Sequence, residues 1–131
     1  MLNNNLFGVF LNEKRQQKDL SIRELANNVG VSHTYLSLIE KGAKPPPSDI
    51  LIIKIADALC LDDEAKVQFY NIAAESKSLH NNNFSIPADI AKYISETSRA
   101  CDFIRQANRL GYSNDFWNRI LQSLKKENMS Q

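Results

Sequence analysis

The segment SIRELANNVGVSHTYLSLIEKG, residues 21–42, sets His33, Thr34, Ser37 and Lys41 on the outward side of a short apolar-periodic stretch. These side chains are short or polar with hydrogen-bonding tips, the kind that suits a helix laid in a nucleic-acid groove. Catalytic chemistry has little foothold. The sequence holds two histidines, His33 and His80, and two cysteines, Cys60 and Cys101. It has no zinc-protease motif, no nucleophile elbow, no Gly-rich phosphate loop and no Cys–His spacing suited to a nucleophile. No catalytic residue, metal ligand or cofactor is therefore expected. Each cysteine lies among aliphatic residues without a second cysteine nearby, which reads as two reduced thiols. His80, in a polar stretch, reads as a solvated imidazole.

The elements that position these groups follow from turn signals. Glycine and proline number four each, and three prolines stand together at Pro45, Pro46 and Pro47, so long periodic stretches run uninterrupted and predict an all-α protein. A first helix is expected from about Asn4 to Lys18. A second opens at Ser21, which can cap it with Glu24 three residues on, and ends near Gly30. A third runs from Ser32 to Lys41 with Gly42 as its stop. Past the prolines, Ser48 caps a fourth from Asp49 to Leu59, and a fifth runs from Asp62 or Asp63 through Ala74. The polar, Asn-rich residues 76–85 read as a linker between residues 1–75 and residues 86–131. Three further helices are expected beyond it: Pro87 to Ile94, about Thr97 to Leu110 closed by Gly111, and Asp115 to Lys126 capped by Ser113.

Within the second and third helices, Leu25, Ala26, Val31, Leu36 and Ile39 make an internal apolar set, and the small Ala26 lets the two helices cross closely. Net charge is +1 over 131 residues, so any polyanion must be met by local charge placement. Residues 1–44 carry six basic and four acidic groups, whereas residues 45–83 carry three and six. Residues 84–131 carry seven and five, so a mild positive excess lies in residues 1–44, the segment that contains the second and third helices. The N-terminus MLNNNLFGVFL lacks a basic leader region and a cleavage site, and the longest apolar run, DILIIKIADAL, is interrupted by Lys54 and Asp57. The expectation is a cytoplasmic, nucleoid-associated protein with no membrane partner.

From about Phe7 to Leu59 the sequence resembles the lambda-repressor-like family of DNA-binding domains, also called XRE or phage repressor and Cro. The resemblance rests on Phe7-Gly8, Arg15, the LSIRELA segment, VS followed by LSLIEKG, Pro47-Ser48, and KIADAL from Lys54 to Leu59. It implies a five-helix bundle whose recognition helix begins at Ser32, and a symmetric homodimer on a palindromic double-stranded operator. Family-like base contacts fall on His33, Thr34, Ser37 and Leu38, with Ser32 at the groove edge. Leu38 either meets a thymine methyl or packs internally. Phosphate contacts fall on Ser21, Ile22, Lys41, Ala43 and Lys44, with Arg23 as an added contact; Ile22 and Ala43 offer only backbone N–H groups. The resemblance also pairs Arg15 with Glu40 in a bidentate bridge that fixes the recognition helix. The function it implies is sequence-specific transcriptional regulation, as a repressor.

More apolar surface remains than this motif needs. Leu2, Leu6 and Val9 form a second face on the first helix, with Phe10 at its border. Ala100, Phe103, Ile104, Ala107 and Leu110 form one C-terminal stripe, and Phe116, Trp117, Ile120, Leu121 and Leu124 another. These stripes are either intrachain core or a seam, with Phe103, Trp117, Ile120 and Leu124 meeting a second copy or a protein partner through residues 86–131. The seam also admits an antitoxin or adaptor, whose C-terminal helices hold a partner protein while the N-terminal domain regulates its own expression.

Overall fold

The computed structural model describes residues 5–82 and 84–130, and these fold into helices joined by turns. In chain order they are α1 (Leu6–Gln17), α2 (Ile22–Val29), α3 (His33–Glu40), α4 (Asp49–Ala58), α5 (Asp63–Asn81), α6 (Ala88–Glu96), α7 (Ser98–Leu110) and α8 (Asn114–Ser130). Two compact units divide the chain, the first ending at Lys92 and the second beginning at Tyr93, inside α6. No helix among the described residues is long and apolar enough to cross a membrane.

In the first unit, helix starts are set by side chains that accept orphan backbone N–H groups. Ser21 accepts from Glu24 N, Ser32 from Tyr35 N, Ser48 from Leu51 N and Asp62 from Ala65 N. Leu11, Leu25, Leu36, Ile39, Ile52, Ile55 and Phe69 are wholly buried at the centre. Each such side chain contributes about 1.5–3 kcal/mol on leaving water. Phe69 of α5 stacks on Phe7 at 5.0 Å and Phe10 at 5.7 Å, binding α1 to α5. Phe10 is therefore spent on this core, while Leu6 and Val9 remain exposed; Leu2 and the expected start at Asn4 lie outside the described residues.

α5 differs from the sequence expectation. It continues seven residues beyond Ala74, so residues 76–81, read as linker, are helical. Nothing between Ala74 and Asn81 breaks a helix, and the Lys77 ammonium reaches Asp49 on α4 at 2.9 Å, tying the last turns to the bundle. The helix ends where Asn82 takes the left-handed conformation, φ 50°, which asparagine tolerates better than most residues. Farther along, the chain buries Ala88 in the same core, which carries the first unit past the expected boundary to Lys92.

In the second unit, α7 ends at Gly111 in the left-handed conformation, φ 69°, and α8 follows. Aromatic contacts join the two helices: Phe103 meets Trp117 edge-on at 5.7 Å, and Phe116 meets Trp117 at 5.3 Å and stacks on Tyr112 at 3.9 Å. Ala107 is buried, but Ile104, Ile120, Leu121 and Leu124 stay exposed.

Candidate nucleic-acid interface

α2 and α3 are eight residues each and are joined by Gly30 at φ 79°, a backbone conformation that a Cβ would strain. The Val31 N–H donates to Ala26 O at 3.0 Å, tightening the turn. Ala26 is buried where the helices cross, and Leu36 and Ile39 anchor the inner side of α3 at full burial. That anchoring leaves Ser32, His33 and Thr34 exposed at the N-terminal end of α3, with Ser37 and Leu38 half-buried farther along.

Two features hold the far end of α3. Arg15 of α1 donates from Nε to Glu40 Oε1 at 3.1 Å, with both side chains largely withdrawn from solvent. The bridge is not bidentate as the sequence reading had it. The guanidinium divides, sending Nη1 to Leu20 O at 2.8 Å in the α1–α2 turn, and Asn12 Nδ2 supplies the second donor to Glu40 Oε1 at 3.0 Å. The second feature is Asn5, whose Nδ2 donates to Glu40 O at 2.8 Å. Gly8 makes this approach possible, because a Cβ there would collide with Glu40 O and the Asn5 side chain. Neither asparagine was singled out from sequence. The legible signal was Asn12 one turn before Arg15 on the same side of α1.

The cations lie around this helix. Arg23 is exposed in the first turn of α2, and Lys41 and Lys44 are exposed just past α3. Ser21 is exposed at the α2 N-terminus, whereas the Ile22 side chain packs against the core, leaving its N–H as its polar group. Ile22, Ser37 and Lys41 border one shallow groove, together with Arg15 and Glu40. Ala43 departs from its assigned role. Its N–H donates to Leu38 O at 2.9 Å, which occupies the one donor it had for phosphate. Phe103 and Trp117 touch each other in the second unit, and Ile120 and Leu124 lie exposed on α8.

Residues 11–60 match the helix-turn-helix family model. This segment, 50 of the 131 residues, is a helix-turn-helix domain. Two uncharacterized HTH-type transcriptional regulators of Mycobacterium tuberculosis, from strains CDC 1551 and H37Rv, are each 40% identical to it over 57 residues, 44% of this chain. The matched segment spans 40% of the length of those relatives. Among solved structures, the clp gene regulator ClgR from Corynebacterium glutamicum is 28% identical with a TM-score of 0.47, over 74% of this chain and 95% of that one. A SinR protein/SinI protein complex is similar at 23% identity and a TM-score of 0.44, over 96% of this chain and 100% of that one. The helix-turn-helix match runs from α1 into the turn after α4, so it includes Arg15, Glu40 and every residue from Ser21 to Lys44 assigned above to base or phosphate.

Proposed function

We propose that this chain is a sequence-specific DNA-binding transcriptional regulator, a repressor, which inserts α3 into the major groove of a double-stranded operator as a homodimer. The observation that carries this reading is the division of α3, with Leu36 and Ile39 wholly buried beneath it and Ser32, His33 and Thr34 exposed at its leading end. His33, Thr34 and Ser37 supply donors and acceptors for base edges, and Leu38 an apolar contact for a thymine methyl. Ser21 and the Ile22 N–H at the α2 N-terminus, with Arg23, Lys41 and Lys44, take phosphates and set the register. The description of its relatives as HTH-type transcriptional regulators supports the same assignment. A cytoplasmic, nucleoid-associated location follows from it.

Three cations per subunit, six in a dimer, give a salt slope of about −5 and a loss of roughly a thousandfold in affinity between about 50 and 200 mM salt. Fluorescence anisotropy against a selected duplex measures it. A slope near zero would remove the phosphate-binding assignment.

The exposed apolar residues of α7 and α8 favour a second copy, because two groove-reading helices need a two-fold axis to fix half-sites about 34 Å apart. They also suit the other reading, an antitoxin or adaptor that presents the same surface to a different protein. Sedimentation of the purified chain separates them: a dimer at micromolar concentration supports the repressor, and a monomer that captures a co-expressed neighbouring gene product supports the adaptor.

A further inference from the structure

A cavity of about 470 Å³ opens in the first unit between the C-terminal end of α3, the proline loop and the last turns of α5. Lys41, Lys44 and His80 border it, over an apolar wall that includes Phe7, Pro46 and Leu79. None of its described lining residues is acidic. The carbonyls that would make the end of α3 negative are already answered, Glu40 O by Asn5 Nδ2 and Leu38 O by the N–H groups of Ala43 and Lys44. Lys41, Lys44 and His80 therefore face no compensating anion among the described lining residues. The cavity exists because α5 runs past Ala74, and the Lys77–Asp49 pair holds that segment on α4.

We propose that this cavity binds a small organic anion, an apolar body carrying a phosphate or carboxylate head, and that its occupancy weakens DNA binding. The volume lies within the usual range for small-molecule sites. The polar rim supplies charge-assisted hydrogen bonds and the apolar wall takes the body. Lys41 and Lys44 are also the cations assigned to operator phosphates, so an anion held beside them neutralises charge that the DNA would otherwise use. This second half rests on the DNA-binding reading, whereas the binding itself does not.

The test uses the full chain and phenyl phosphate as probe, with inorganic phosphate and phenol as head and body alone, followed by NMR at the His80 imidazole and Leu79 methyl signals. Saturable shifts at both residues are expected with phenyl phosphate. They should weaken about tenfold or more in Lys44→Gln/His80→Gln, with the melting temperature as a check that the variant is folded. Inorganic phosphate binding as tightly as phenyl phosphate, unsaturable shifts, or shifts that persist in the folded double variant would overturn the proposal. A DNA arm follows. At matched ionic strength phenyl phosphate should lower operator affinity about fivefold or more, and His80→Gln, which keeps operator affinity alone, should abolish that antagonism. Saturable NMR binding with no antagonism in a protein that still binds its operator would overturn the regulatory half. Failure to bind any duplex would instead remove the DNA reading and leave the cavity result standing.

Discussion

Arg15→Ala tests how the recognition helix is held. The substitution leaves the Glu40 carboxylate, whose side chain is 8% exposed, with Asn12 as its remaining donor among the described residues. Stranding one member of a buried pair costs about 3–5 kcal/mol, and the surviving Asn12 bond reduces this to about 2–3. Loss of the Nη1 bond to Leu20 O adds about 0.5–1.5 kcal/mol, so about 3.5 kcal/mol in all is expected. For a unit of this size that lowers the melting temperature by about 14–28 °C. Glu40→Gln keeps an oxygen for both donors and should cost about 1 kcal/mol. Urea unfolding of Arg15→Ala, Glu40→Ala and the double variant should return a coupling energy of about 1–3 kcal/mol. A melting temperature within about 2 °C of the wild type for Arg15→Ala, or a coupling near zero, would refute the reasoning.

Gly8→Ala places a methyl against backbone at Glu40 O and should destabilise the first unit by about 2–3 kcal/mol, read by thermal unfolding; wild-type stability would show that α1 can move away from α3 freely. Tyr70 is held above the ordinary tyrosine value of 10.0, chiefly by burial and further by the charges of Asp57 and Asp89. The unfolded chain loses that proton first, so Tyr70 contributes stability below pH 10.0 that is lost as pH rises through the folded value. Urea midpoints measured across that range should decline more steeply in the wild type than in Tyr70→Phe, and parallel curves would contradict the shift. On α8, Leu124→Glu alters an exposed side chain and should leave helix content unchanged by circular dichroism while converting a dimer to monomer by sedimentation; an unaltered dimer would remove Leu124 from the seam.

Much of the fold was legible because local signals agreed. Ser21, Ser32 and Ser48 each precede an apolar-periodic stretch, and each caps a helix. The end of α5 was not legible. Residues 76–81 are polar but contain no breaker, and a solvated helical face looks like a linker when its tether, Lys77 to Asp49, depends on tertiary contact. The Arg15–Glu40 pair was reachable only through the family resemblance, because its partners are 25 residues apart. Its division between Glu40 and Leu20 depends on how the α1–α2 turn presents a carbonyl. Ala43 was misassigned for a related reason: its N–H closes the turn after α3, and sequence does not reveal whether a backbone donor is already engaged.

Selection from a random duplex library with the purified full chain, run beside a His33→Ala/Thr34→Ala variant, tests the central claim most directly. A single enriched motif is expected for the wild type, arranged as inverted half-sites about 34 Å apart, with sequence preference relaxed in the variant and salt-dependent non-specific binding retained. Equal recovery of all sequences by the wild type, or an unchanged motif in the variant, would contradict the assignment of α3 as the element that reads DNA.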